Sequence, residues 1–286
     1  GSLLKKSLLT LFFSGVAVSA IGIAYKFLGI LTYDGRLKIF WDSPNQMAMF
    51  LAIPFLIGSI FALQEKEAKT KRLYSLSTPL IGLSLYFSYS YGAWLAIVVA
   101  IIAMLWLKYS KIKQKKYLVI FAIILLVLLA WASIYKYKAI ANMGERSSLS
   151  SRFMIWKSAG LMIENNPLFG IGPGNFQEKY LEYQKYFPPY LEWSAPQPHN
   201  IFLAFWLESG LIGLVGFIIL LIYFFRSNKK AIKNDRDLGI LLLGIMIYIL
   251  VHGLIDTTYW RNDLAVVFWV VVAMNIYLSK QSAKIN

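Results

Sequence analysis

At 286 residues, this chain is 58% hydrophobic and 16% aromatic, and only 15% of it is charged. Soluble domains carry about 25% charge, so the surplus apolar surface (mean hydropathy +0.58) belongs in lipid and not in one large core. The lack of cysteine excludes disulfides and thiolate-held metal, two histidines are too few for a His-rich cluster, and a net charge of +15 raises nucleic acid as a partner.

Eight apolar stretches are long enough to cross a hydrocarbon core as helices, which takes roughly 17–25 residues. They fall at about 7–31, 46–63, 73–90, 91–107, 117–135, 201–225, 238–255 and 263–279. The third and fourth run together around Tyr89-Ser90-Tyr91-Gly92 and are divided there, because one helix of about 35 residues would overshoot the bilayer. The opening Gly1-Ser2, with no methionine, reads as a cloning remnant outside the fold.

The connections alternate in charge. Residues 64–72, 108–116 and 226–237 are rich in Lys and Arg, and with Lys5, Lys6, Lys280 and Lys284 they hold 18 of the 29 basic residues against four acids. By the positive-inside rule these segments and both termini are cytoplasmic. A nucleic-acid surface would need one contiguous basic face, whereas these clusters are separated by whole spans, so nucleic acid is excluded as a partner. The expected architecture is all-α, a polytopic transmembrane bundle of about eight spans in the cytoplasmic (inner) membrane, surrounded by membrane lipids. Residues 3–135 supply five helices, 136–200 an ordered helical external segment that carries the candidate site, and 201–286 three more helices. Aromatic residues such as Tyr33, Trp41, Tyr259 and Trp260 stand at the outer borders, where amphipathic rings anchor at headgroup level.

Loops beyond about 12–15 residues are usually functional or disordered, and the composition of 136–200 points to order. Ser150 to Asn165 spaces Phe153, Trp156, Ala159-Gly160 and Ile163 at helical intervals, with Ser150 or Ser151 as N-cap. This predicts an amphipathic helix lying on the membrane or roofing the bundle. Gly170-Ile171-Gly172-Pro173-Gly174 follows, either a tight turn or a loop that aims backbone N–H groups at an anion. Residues 177–187 predict a second short polar helix, ended by Pro188-Pro189. Pro196-Gln197-Pro198-His199-Asn200 then sets His199 at the mouth of the helix beginning at Ile201, as a structural or a functional imidazole.

These residues resemble the O-antigen ligase family of bacterial membrane glycosyltransferases, which includes O-antigen polymerases. The resemblance rests on Arg152…Trp156…Ala159…Asn166-Pro167-Leu168-Phe169-Gly170-Ile171-Gly172-Pro173-Gly174-Asn175-Phe176, on His199-Asn200-Ile201-Phe202-Leu203, and on Leu207-Glu208-Ser209-Gly210-Leu211-Ile212-Gly213. Phe40…Ser43-Pro44-Asn45 and His252-Gly253-Leu254-Ile255-Asp256 are similar to an earlier and a later family element. The likeness runs from about residue 36 to 275. The family often has Ser-Arg-Gly where this chain reads Ser90-Tyr91-Gly92, which leaves any role of that arginine unsupported, and relatives usually have more amino-terminal spans.

The resemblance implies transfer of a glycan from a polyprenyl (undecaprenyl) diphosphate carrier to a hydroxyl of a lipid or glycan acceptor, such as lipid A-core, on the outer membrane face. The leaving diphosphate needs fixed positive charge. Arginine meets that need by matching phosphate oxygens with its fork, so neither a metal nor a cofactor is expected. Arg152 is the first candidate for the diphosphate clamp, with an interfacial residue snorkelling to headgroups as its alternative, and Arg36 and Arg146 come next as substrate-binding residues. His199 is the candidate base for the acceptor hydroxyl. Asn200 beside it joins the substrate-binding set. His252 and Asp256, four apart on one helix face, pair either to assist there or to pin two helices together. Glu208, within a span, is functional by default or hydrogen-bonded to nearby glycine backbones. Ligase is the favoured activity, with repeat-unit polymerase, protein O-oligosaccharyltransferase, and a secondary transporter or flippase as alternatives.

Overall fold

The computed structural model of the chain describes residues 2–109, 148–188 and 194–281. Among these residues all regular structure is helical: α1 Ser2–Phe27, α2 Pro44–Gln64, α3 Ala68–Phe87, α4 Tyr91–Lys108, α5 Ser148–Asn165, α6 Phe176–Tyr183 with a 3-10 turn Gln184–Tyr186, α7 Ile201–Asn234, α8 Arg236–Gly253 and α9 Asn262–Lys280. The expected span 117–135 and the candidate Arg146 lie outside the described residues.

Six helices, α1, α2, α4, α7, α8 and α9, are long and apolar enough to cross a membrane. The third expected span forms as α3, but Lys69, Lys71 and Arg72 in its opening turns dilute its apolar content below that of the other six. It packs along α2 and α1, while α4 lies along α8, and α7, α8 and α9 pack on one another. The division between the third and fourth stretches falls at Ser88–Ser90, where Tyr89 takes a positive φ of 48° and lets the chain reverse. Gly92 then runs tightly under the far corner of α8. A Cβ there would lie 2.4 Å from Ile255 and 3.4 Å from the His252 ring, so the glycine of this element is a packing requirement.

The helices alternate in direction, so one end of the bundle gathers the basic connections 64–72 and 226–237 and the other gathers the start of α2, the α3–α4 turn, α5, α6, the start of α7 and the α8–α9 connection. One continuous core of buried Leu, Ile, Met and Phe fills the bundle. A smaller core under α5 and α6 is built from Met154, Ile155, Ala159, Met162, Phe176, Tyr180 and Leu207. The amphipathic pattern of α5 therefore roofs the start of α7. The N-cap expected at Ser150 or Ser151 is displaced: the helix already includes Ser148, and Ser151 is a buried residue inside its first turns.

The expected continuous span at 201–225 is also corrected. Helix α7 runs on to Asn234 and is broken at Gly210, whose φ of 68° and ψ of −174° are not helical. The glycine-rich segment before α6 braces the break. The N–H of Leu211 donates to Leu168 O (3.0 Å), and that of Ile171 donates to Leu207 O (2.7 Å). Gly170, Gly172 and Gly174 all have positive φ, and a Cβ at Gly170 would meet Leu207 O at 2.2 Å. Glycine permits both the conformation and the approach.

Candidate active site

Five segments meet at the non-basic end around a cavity of about 490 Å3: the loop before α2, the start of α2, α5, the segment before α7, and the α8–α9 connection. The opening of α2 is fixed by Ser43-Pro44-Asn45-Gln46. Ser43 Oγ accepts the Gln46 N–H, the Gln46 side chain accepts the Ser43 N–H, and Pro44 occupies the first turn. This reciprocal cap, legible as Ser-x-x-Gln ahead of an apolar run, leaves Asn45 facing the cavity. Asn45 Oδ1 accepts from an Arg36 terminal nitrogen (2.8 Å), while Arg36 Nε donates to Ser88 O in the α3–α4 turn (2.8 Å).

Arg152 and Trp156 are one turn apart on the same face of α5. Arg152 Nε donates to Ile255 O (2.6 Å), and its Nη2 lies 3.4 Å from Asp256 Oδ2. One turn on, the Trp156 indole N–H is shared between Pro198 O (3.0 Å) and His199 O (3.3 Å). It thereby holds His199 in a left-handed conformation (φ 48°) that few non-glycine residues adopt. Asn200 completes the hold. Its side chain caps α7 by accepting from the N–H groups of Phe202 and Leu203, and its amide donates to Leu254 O (2.9 Å). Asn200 is thus occupied as a cap, and it does not line the cavity.

His199 Nδ1 sits 2.9 Å from Asp256 Oδ1, with its ring about 30% exposed and lining the cavity. Asp256 is buried. Burial alone would push its carboxyl up, but the charge and hydrogen bond of His199, together with Arg152, outweigh that and hold it well below the usual carboxylate range. An ionised Asp256 accepts Nδ1–H and leaves His199 Nε2 as the basic nitrogen. Burial lowers the pKa of the Arg36 guanidinium; Asp34 works against this, and the nearby charge of Arg152 adds to it. Two arginines therefore crowd one polar cavity.

A family model described as O-antigen ligase matches residues 76–218, half the chain, a stretch that includes Arg152, Trp156 and His199. The chain belongs to the O-antigen ligase family. A relative described as an uncharacterised protein, from Haemophilus influenzae, is 25% identical over 181 residues. These are 56% of this chain but 44% of that protein, so the chain spans less than half of its relative's length.

Within this O-antigen ligase family member, Arg36, Arg152, His199 and Asp256 come together at the cavity. The expected His252–Asp256 side-chain pair does not form. His252 is fully buried and its Nδ1 meets the Tyr248 hydroxyl (2.9 Å), because Asp256 has turned past the end of α8 toward His199 and Arg152. Glu208 lies outside the cavity, where its Oε2 accepts the Gly174 N–H (2.6 Å) and it takes a second hydrogen bond from the Trp260 side chain. The glycine-rich loop does aim an N–H at an anion, and that anion is internal. Lys157 lines a separate pocket with Phe153 and Tyr186. Sequence reasoning missed Arg261, Gln197 and Thr257, which line the cavity. The signal for Arg261 was its place in the short connection just after the His252–Asp256 element.

Proposed function

We propose that this protein is a membrane glycosyltransferase that moves a glycan from a polyprenyl diphosphate to an acceptor hydroxyl, with O-antigen ligation as the favoured reaction. The observation that carries the reading is the convergence of two mutually repelling guanidiniums, Arg36 and Arg152, with the His199–Asp256 pair on one cavity. Asp34 stands 4.0 Å from Arg36 and Asp256 is shared between Arg152 and His199, so the two cations are only partly balanced, and a diphosphate matches both their charge and their fork geometry. The volume lies within the ordinary range of ligand pockets, roughly 300–1,000 Å3.

In the proposed step, the acceptor oxygen attacks the anomeric carbon while His199 Nε2 takes its proton. The bond between that carbon and the phosphate oxygen breaks, and its electron pair stays on the departing diphosphate, whose charge Arg152 and Arg36 stabilise. Asp256 keeps the imidazole in the Nε2-basic tautomer and steadies the imidazolium that forms. The basic connections 64–72 and 226–237 lie at the opposite end of the bundle, which by the positive-inside rule supports an exterior-facing cavity, where a lipid-linked donor is the available sugar source.

The test is purified protein with undecaprenyl-diphosphate glycan and candidate acceptors, with EDTA present. Turnover is expected to survive chelation and to fall by about 100-fold or more in both Arg152→Ala and His199→Ala, while melting in detergent shows both variants folded. A strict metal requirement, or a folded Arg152→Ala that still transfers, would overturn the assignment.

A further inference from the structure

Three guanidiniums line the cavity, and two of them are matched there by carboxylates: Arg36 by Asp34 and Arg152 by Asp256. The third, Arg261, opens α9, and its two carboxylate partners, Asp42 and Asp263, do not line the cavity. Its Nη1 reaches outward to Asp42 (2.8 Å), whose side chain is 82% exposed. Its Nε is buried and has no hydrogen-bond partner among the described residues. Asp263 Oδ1 stands 3.5 Å from that nitrogen, and the other oxygen of Asp263 is already taken by the Trp41 indole (3.0 Å).

A solvated ion pair such as Arg261–Asp42 is weak and is readily exchanged for another anionic partner. The loop carrying Arg261 is also held in place: Gln197 donates to Trp260 O (3.0 Å) and accepts from the Thr257 hydroxyl, both on the cavity wall next to His199. The guanidinium thus sits part-buried on a held loop, with its nearer carboxylate partner solvated and exchangeable, beside groups that would contact a sugar.

We infer that Arg261 is a specificity-determining residue that binds a negatively charged group, carboxylate or phosphate, on a saccharide entering the cavity, apart from the diphosphate assigned to Arg36 and Arg152. The inference rests on the transfer reading for the role of that saccharide, but not for its binding, so an equilibrium measurement tests it separately. Binding is read by calorimetry on the protein in a non-ionic detergent with saturating inorganic pyrophosphate, which occupies Arg36 and Arg152, and three probes: an oligogalacturonate, galactose 6-phosphate, and a neutral galactose oligosaccharide.

The protein is expected to bind at least one anionic probe about tenfold or more tightly than the neutral one, with the gap shrinking as salt rises. Arg261→Gln is expected to abolish that preference and leave neutral binding in place. Asp42→Asn, which frees the guanidinium from its outer partner, is expected to strengthen anion binding. A purely structural clamp predicts the reverse, since loss of Asp42 would loosen the arginine. Equal binding of all three probes overturns the inference, as does a preference that survives Arg261→Gln or an Asp42→Asn variant with unchanged or weaker anion binding. If Arg261→Gln does not fold, the Asp42→Asn arm decides alone. Failure of glycan transfer in the assay above, with the anionic preference intact, would count against the reaction and not against this site.

Discussion

Glu208 and Asp256 are carboxylates buried at the same end of the bundle, each within a stretch that carries the family likeness, and they differ in what holds them. Glu208 is held by the backbone of Gly174 and the indole of Trp260, with no cationic side chain among these contacts, and it is closed off from the cavity. Asp256 is held by Arg152 and His199, two groups that themselves face the cavity. The first arrangement ties the glycine-rich loop to the break in α7 and to the α8–α9 connection. The second, on the proposed mechanism, sets the tautomer of a base. A buried acid is therefore not informative by itself, and the direction in which its partners face separates brace from chemistry.

Substitution can break that comparison. The largest expected effect is on Asp256→Asn, which keeps the shape but gives His199 Nδ1 a neutral partner whose amide can turn either way. Turnover should fall by about 100-fold or more with little change in KM, as for other oriented imidazoles. A normal turnover number in this variant would reduce Asp256 to a brace like Glu208. Gly210→Ala comes next. A Cβ there would lie 2.3 Å from Leu168 O at a φ of 68°, so denaturation should show a loss of roughly 3 kcal/mol or more, with activity lost in step with folding. Glu208→Gln is milder. The amide oxygen still accepts from Gly174, only the charge assistance disappears, and the expected cost is about 1 kcal/mol with turnover per folded molecule unchanged. A large loss of turnover in well-folded Glu208→Gln would erase the distinction.

Helices were legible in the sequence because hydropathy and charge record each crossing directly. The split at Tyr89–Gly92 followed from bilayer thickness alone, and the α5 helix from its apolar spacing, which left open whether it lies on the membrane or roofs the bundle. The break at Gly210 was hidden, because Glu208-Ser209-Gly210 sits inside an apolar run, and the groups that replace the lost helical bonds, at Leu168 and Ile171, lie some forty residues earlier. In the candidate site, Arg152 and Trp156 were legible as one face of a helix. The partner of Asp256 was not: spacing favoured His252 at four residues, whereas the turn at the end of α8 swings the carboxylate to His199, across 57 residues. Asn200 reads as a helix cap only once the α7 terminus is seen to bond it. Arg261 escaped notice because its place just after the His252–Asp256 element is the one signal that separates it from a border arginine.

The smallest expected effect is on stability against pH, and it sharpens the same contrast. The folded-state carboxyl of Asp256 lies well below its unfolded value, which is about 3.9. A depressed carboxyl contributes stability that is fully present above the unfolded value and is lost as pH falls through the folded one. Asp256→Asn lacks this contribution at every pH. The difference in melting temperature between the parent and Asp256→Asn should therefore be no smaller at pH 5 than at pH 7, and should narrow only below about pH 4. Carboxylates elsewhere in the chain are common to both proteins and cancel in the difference. A gap that closes already between pH 7 and 5 would mean that Asp256 is not held ionised by His199 and Arg152, and the tautomer argument for Nε2 as the basic nitrogen would lose its footing.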